Sequence, residues 1–315
     1  MNPLFGVFIQ QDSHLSEEVN RTKGPQFYFK VASLAEGVGF HSFWYADHWM
    51  LPRNKATFDC WSLLSGVAAI TDKLWIGSLV TSLTANNPVA LAKRVLTVQM
   101  ISRNRVIFGI GTGFYKHEYE AFGVRYPGHQ QRLKMLEEGV ALIRRVWKAN
   151  EPVTYDGEAF SVKGALLLPR TVMPPFWFGG VSDGILQIIA KYGDGWIPYE
   201  ISCDHYAERA RQIDSLLDKL HRDKDEVRKA YSTRVIARKT EEEALAVLRR
   251  IGVRRDYESP TGQKGHIIVG SYEQCRAELA NYLEVGVEYL LLSPQPIESA
   301  YELLPILKKE FILKK

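Results

Sequence analysis

With 315 residues, 46% of them hydrophobic and 24% charged, the chain can bury one large core and need not divide, since barrels of about 250 residues with insertions form single domains. Its 40 basic and 36 acidic residues leave a net charge of +4 and are scattered, with no basic run beyond pairs such as Arg144-Arg145, so nucleic acid is not an expected partner and a weak positive field suits an anionic ligand. Cys60, Cys203 and Cys275 are odd in number, far apart and without CxxC spacing, so neither a disulfide framework nor a zinc site is suggested, and no apolar run nears the roughly 18 residues of a membrane span; a cytoplasmic, membrane-free protein without a metal is expected.

Residues 4–9 form an apolar run of strand character, ended by the polar Gln10-Gln11-Asp12. Over 27–38, Phe27, Val31, Leu34, Ala35 and Val38 recur at helical spacing, and Gly37 and Gly39 close the segment. The pattern repeats with strands at 42–45, 74–80 and 105–110 and helices at 61–70, 88–101 and 131–147, the second of these opening on Pro88. Residues 151–173 interrupt the rhythm with a predicted β-hairpin around Asp156-Gly157. Strands five to eight are expected at 175–178, 195–197, 232–237 and 289–292. Helices are expected from Ser182 or Asp183 to Tyr192 and over 204–221, 241–251, 271–285 and 300–311, with a polar loop at 252–266. Eight such units without a second strand-rich region predict the α/β class: a (β/α)8 TIM barrel with insertions, one domain over 1–315.

In such a barrel, functional groups collect where strands end. The residues in those places are Gln10 and Asp12, Asp47 and His48, Thr81, Ser82 and Thr84, Thr112 and Gly113, and Gly179, Gly180 and Ser182. Residues 105–113, Arg-Val-Ile-Phe-Gly-Ile-Gly-Thr-Gly, place three glycines at alternate positions after a buried strand. They expose backbone against which a flat ring can lie, or they make a tight turn with positive φ. Gly179-Gly180-Val181-Ser182, with Asp183 behind it, either holds a phosphate on the amides of a helix start or is an ordinary turn with a serine cap. Trp49, directly after the polar pair, is the aromatic best placed for a pocket, whereas Trp44 and Trp177 at strand positions suit the core.

Residues 39–48, Gly-Phe-His-Ser-Phe-Trp-Tyr-Ala-Asp-His, with Ile76-Gly77-Ser78-Leu79-Val80-Thr81, Asn87-Pro88-Val89-Ala90-Leu91-Ala92-Lys93 and the 105–113 stretch, resemble the bacterial luciferase-like superfamily. Tyr119-Glu120-Ala121-Phe122-Gly123 and Tyr192-Gly193-Asp194-Gly195-Trp196 continue the resemblance over most of the chain. It implies a (β/α)8 barrel, usually a homodimer, that binds FMN or the deazaflavin coenzyme F420 at the carboxyl ends of its strands. Asp47-His48-Trp49 and Gly111-Thr112-Gly113 are similar to the coenzyme F420-dependent branch, with FMN the alternative cofactor. Relatives in that branch acting on sugar phosphates carry a glutamate where this chain has Phe114, and the methylene-tetrahydromethanopterin reductases carry a carboxylate in the first strand, where this chain has Phe8.

The resemblance implies hydride transfer between the deazaflavin and a small organic substrate of alcohol/carbonyl or enone/imine type. His48 is then the expected acid–base, able to take or give a proton near neutrality. Asp47, Thr81, Ser82, Thr112 and Gly113 are expected at the coenzyme ring, Gly179, Gly180, Ser182 and Asp183 at its phosphate, and Gln10, Trp49 and Phe114 in the substrate pocket. The plainer alternative makes Asp47 a turn residue and His48 a loop hydrogen-bonder. Lys116, His117 and Glu118 touch the ligand or only solvate a helix start, and residues 254–264 form a lid or a solvated loop. An FMN-dependent monooxygenase and a non-catalytic flavin-binding protein are the competing functions.

Overall fold

The computed structural model describes residues 3–10, 14–51, 56–258 and 264–312. Within them, eight parallel strands appear at the places the apolar runs predict: β1 (Leu4–Ile9), β2 (Ser42–Tyr45), β3 (Trp75–Ser78), β4 (Val106–Gly111), β5 (Phe176–Phe178), β6 (Gly195–Trp196), β7 (Arg228–Arg238) and β8 (Tyr289–Pro294). Each pairs with the next, and β8 returns to β1 in the register Leu4 to Tyr289 through Val7 to Leu292, so the sheet closes into a (β/α)8 barrel.

Two faces of one short strand show what holds the barrel together. In β2, Phe43 and Tyr45 point outward into the layer shared with the helices, whereas Trp44 points inward among Phe8, Ile107, Trp177, Tyr289 and Leu291. The Trp44 and Trp177 rings lie 5.5 Å apart, and Tyr289 meets Trp177 edge-on at 5.2 Å. Aromatic pairs of this kind add about 0.5–1.5 kcal/mol beyond the area they bury. Both tryptophans are therefore core residues.

Helices α1 (His14–Lys23) and α2 (Pro25–Val38) follow β1, α3 (Cys60–Ile70) follows β2, and α4 (Pro88–Ile101) follows β3. The series continues with α5 (Lys116–Ala121), α6 (His129–Lys148), α7 (Asp183–Tyr192), α8 (Cys203–Lys219), α9 (Glu241–Ile251), α10 (Tyr272–Glu284) and α11 (Ala300–Leu307). Side-chain caps start several of them: Asp59 on α3, Asn87 on α4, Thr240 on α9, and Ser271 with Gln274 as a capping box on α10, each worth about 1 kcal/mol. At the N-terminal end of β4, buried Arg105 donates to the carbonyls of Ala68 at 3.2 Å and Thr71 at 2.5 Å, neutralising the carbonyl end of α3. No helix of the described residues is long and apolar enough to cross a membrane.

Several details differ from the sequence expectation. The third strand stops at Ser78; the Leu79–Val80 peptide is cis, and Thr81–Ser82 then pairs with Ile110 and Gly111 as a separate short strand. The hairpin inserted at 151–173 is present as Val153–Asp156 with Ser161–Ala165. The region taken as a polar loop at 252–266 holds a second hairpin, Asp256–Glu258 with Lys264–His266, and Ile268–Ser271 after it extends the sheet along β7. Residues 259–263 of that loop, and Asp12, lie outside the described residues. α11 ends at Leu307 and gives way to a wider turn over Lys308–Ile312.

Candidate active site at the barrel mouth

The C-terminal ends of β2 and β3 bring Asp47 beside Thr81. The Trp61 indole N–H from α3 donates to Thr81 Oγ1 at 3.0 Å, which leaves the hydroxyl proton of buried Thr81 for the Asp47 carboxylate, its hydrogen-bond partner. Burial nevertheless dominates, and the Asp47 carboxyl is pushed up to about 6, with Asp59 raising it further and Thr81, His48 and Arg94 opposing. The residue keeps partial exposure. Asp47, Trp49, Ser82, Asn86, Glu118 and Tyr119 line a small cleft at this point.

His48 is held from behind. Its Nδ1 lies 3.1 and 3.2 Å from the two carboxylate oxygens of Glu118 on α5, and the Trp49 backbone N–H donates to Glu118 Oε2 at 3.2 Å. Glu118 is only 4% exposed. Phe114 sets its ring edge-on against the His48 imidazole at 5.6 Å while remaining 52% exposed, and Trp49 stacks obliquely on Phe122 at 5.3 Å. Sequence reasoning weighed Glu118 as a ligand contact or a helix-start solvating residue, not as the partner of His48. The signal that could have found it is the spacing of Tyr115, Tyr119 and Phe122, which marks a helix turn whose inner side carries Glu118 and Tyr119.

Beneath these groups runs a hydroxyl network. Tyr119 is fully buried and its hydroxyl bonds to Ser82 Oγ and to Thr84 Oγ1 at 2.9 Å; Thr84 also donates to the Thr112 carbonyl at 2.8 Å. Gly113 has φ +69°, and a Cβ there would come within 2.0 Å of the Tyr119 hydroxyl oxygen and 2.3 Å of Ser82 Oγ. The other glycines of the stretch also admit protein atoms: a Cβ on Gly109 would meet the Ser78 carbonyl at 1.7 Å, and one on Gly111 would meet Val80 at 2.9 Å. The alternate glycines therefore let the third and fourth strand ends interlock. Thr112 remains half-buried, its hydroxyl donating to the Gly113 carbonyl at 3.3 Å.

The end of β5 forms a separate group. Gly180 has φ +105° and is exposed, and its carbonyl accepts from the Trp196 indole at 2.9 Å. Ser182 occupies the cap position of α7 without capping it, and its buried Oγ has no hydrogen-bond partner among the described residues. Asp183 pairs with Arg209 at 2.6 Å. At the end of β1, the Gln10 backbone N–H donates to Ser293 Oγ at 3.1 Å. Thus Asp47, His48, Trp49, Thr81, Ser82, Gly113 and Phe114 gather around one cleft or its floor. Gly179, Gly180, Ser182 and Asp183 form a second group, and Gln10 stands at a third strand end.

On the β6–β7 side the mouth is sealed by charge. Glu200 is fully buried with φ +49°, takes Arg234 Nε and Nη2 at 2.7 Å each, and accepts from the Arg234 backbone N–H at 3.0 Å and the Tyr257 hydroxyl at 2.5 Å. Among the described residues, no cluster of three or more His, Cys, Asp or Glu could hold a metal.

Residues 4–289 match the family described as luciferase-like monooxygenase. An F420-dependent glucose-6-phosphate dehydrogenase of Amycolatopsis mediterranei is 29% identical over 178 residues, 55% of this chain and 53% of that protein, so the chain spans about half the length of this curated relative. An F420-dependent secondary alcohol dehydrogenase, solved with an F420-acetone adduct, superposes with a TM-score of 0.82 at 18% identity over 99% of both chains. A long-chain alkane monooxygenase superposes with a TM-score of 0.80 at 16% identity, covering 98% of this chain and 92% of that one. These likenesses carry the fold.

Proposed function

Since the chain belongs to the luciferase-like monooxygenase family, we propose that it is an oxidoreductase that uses coenzyme F420 to transfer a hydride to or from a small organic substrate of alcohol/carbonyl or enone/imine type. The observation that carries this reading is His48, held at Nδ1 by Glu118 with Nε2 unpartnered among the described residues, beside the protonatable Asp47 at the strand ends. The names of the F420-dependent relatives support the deazaflavin over FMN. The alkane monooxygenase's fold keeps the FMN-dependent monooxygenase as the second reading.

The residues present fit such a coenzyme. The orphaned Ser182 hydroxyl and the unpaired first amides of α7 suit a phosphate group, with Arg209 neutralising Asp183 close by. A Cβ on Gly180 would find nothing nearer than Ile185 at 3.5 Å, so the turn leaves room for a ligand. Asp47, Ser82 and Thr112 offer hydrogen bonds to the polar edge of a ring, Asp47 as donor when protonated. When bound, the deazaflavin supplies a carbon centre that accepts or gives a hydride. The protein's share is proton handling: as a hydride leaves the carbinol carbon, the substrate hydroxyl gives its proton to His48 Nε2, and the reverse reaction returns it. Phe114 and Trp49 put apolar surface beside that proton path, which suits a substrate less polar than a sugar phosphate.

Separate absorbance titrations with F420 and FMN test the reading. Saturable binding of F420 with none of FMN is expected, and the opposite pattern would sink it. His48→Ala is then expected to lower turnover by about 10²–10⁴ with coenzyme affinity unchanged.

A further inference from the structure

We infer that Glu118 is the positioning residue of His48: it fixes the imidazole as the Nδ1–H tautomer, so that the bare Nε2 faces the barrel mouth as the proton acceptor. The inference deepens the acid–base role given to His48 above and rests on that reading for its catalytic consequence, but its structural content is independent of coenzyme and substrate.

Three features of the structure converge. A buried carboxylate is an acceptor, so a ring nitrogen lying 3.1 and 3.2 Å from its two oxygens must carry the proton between them. Second, the carboxylate holds more than the ring: the Trp49 N–H donates to Oε2 at 3.2 Å, tying the His48–Trp49 backbone to α5 and limiting where the imidazole can swing. Third, Phe114 closes one side of the ring edge-on at 5.6 Å. Gripped at Nδ1, backbone and ring edge, His48 keeps one polar atom free. The same carboxylate offsets the positive charge that appears when Nε2 takes a proton, because Glu118 is nearly removed from water and His48 is only 18% exposed. Glu118 borders the cleft, but both of its carboxylate oxygens are engaged by His48 Nδ1 and the Trp49 N–H, so it acts through His48.

Nitrogen-15 NMR of the histidine side chains tests this on the apo-protein at about pH 9, where imidazole is ordinarily neutral. The His48 signals are assigned by their loss in His48→Gln. The wild type is expected to show a protonated Nδ1 and a bare Nε2. Glu118→Ala should shift the population toward the Nε2–H form that free imidazole favours, and Glu118→Gln, whose amide oxygen can still accept, should restore the wild-type pattern. A wild type already in the Nε2–H form, or no change in a folded Glu118→Ala, overturns the inference. With coenzyme present, Glu118→Ala should lower kcat by about 10–100-fold, leave coenzyme affinity unchanged and be largely rescued by Glu118→Gln. Failure of F420 to bind the wild type defeats the proposed function but leaves the tautomer result standing, so the two failures are distinguishable.

Discussion

The two sides of the barrel mouth handle buried charge in opposite ways. On the β6–β7 side Glu200 and Arg234 form a two-pronged ion pair, and the Tyr257 hydroxyl and the Arg234 amide complete the carboxylate's acceptor capacity. On the β2–β4 side Asp47 is half-buried against one hydroxyl and pushed up to about 6, and His48 is gripped at a single ring nitrogen. A carboxylate so fully engaged has nothing left to offer a ligand and serves to fasten the hairpin strands at Tyr257 and His266. Half-satisfied groups are costly in a folded protein, and they concentrate where chemistry is done. The contrast matches a division in which one side serves stability and the other the proposed reaction, and single substitutions can separate the two.

The largest effect is expected on the sealed side. Glu200→Ala removes the two-pronged Glu200 carboxylate from the buried Arg234 guanidinium, and breaking a buried pair from one side typically costs about 3–5 kcal/mol. Urea denaturation should show that loss. The double change Glu200→Leu with Arg234→Met removes both charges and should recover most of it, because the desolvation of both ions disappears together. A single-variant loss under about 1 kcal/mol would mean that the pair is no clamp, and the division between the two sides would fall.

Neither side could be read completely from the sequence, for a physical reason that particular residues make plain. Periodicity located all eight barrel strands, even the two-residue β6, because each is a short apolar run bounded by turn residues. It missed α1, whose His-Leu-Ser-Glu-Glu-Val-Asn-Arg-Thr-Lys has few apolar positions, and α5, whose pattern lasts barely two turns. The polar hairpin of 256–258 with 264–266 was hidden because a two-stranded ribbon lying outside the barrel sheet need not alternate apolar with polar. At the site, Asp47 and His48 were legible as polar residues at a strand end. Their partners were not: His48 meets Glu118 across 70 residues and Glu200 meets Arg234 across 34, and spacing along the chain carries no trace of such pairings. The alternate glycines had a clear signal but an ambiguous meaning, since accommodating Ser78, Val80 and Tyr119 demands the same absence of a Cβ as accommodating a ligand.

A smaller effect, of opposite sign, is expected on the reactive side. The Asp47 carboxyl rises from 3.8 to about 6 on folding, chiefly through burial, so the folded state binds its proton more tightly than the unfolded one. Its stabilising contribution is therefore fully present below about pH 3.8 and is lost as pH rises through about 6. Asp47→Asn should accordingly be more stable than the wild type at pH 8 by about 1–3 kcal/mol and melt higher, with the difference vanishing near pH 4. Thermal melts at the two pH values measure it. The same variant should bind coenzyme more weakly, the stability–function opposition expected of a reactive group. A variant no more stable than wild type at pH 8 would place Asp47 among the satisfied residues and erase its contrast with Glu200.

The smallest effect sits at the outer edge of the sealed side, where His266 bridges Asp256 on its own hairpin, at 2.6 Å, and Glu278 on α10, which also takes Arg255 at 3.0 Å. The hydrogen bond to Glu278 raises the His266 pKa above 6.5, with burial opposing and Asp256 assisting. A raised basic group stabilises fully below the unfolded value and loses that contribution as pH climbs through the higher folded value. His266→Asn is expected to cost about 0.5–1 kcal/mol at pH 6 and much less at pH 9.5, measured by denaturation at both. Because the His266 backbone N–H also donates to the Glu200 carbonyl at 2.7 Å, loosening this bridge should weaken the hairpin's hold on the buried pair and leave the His48 side untouched. If His266→Asn instead changes the His48 tautomer or coenzyme affinity, the two halves of the mouth are one coupled unit, and the assignment of stability to one and chemistry to the other must be withdrawn.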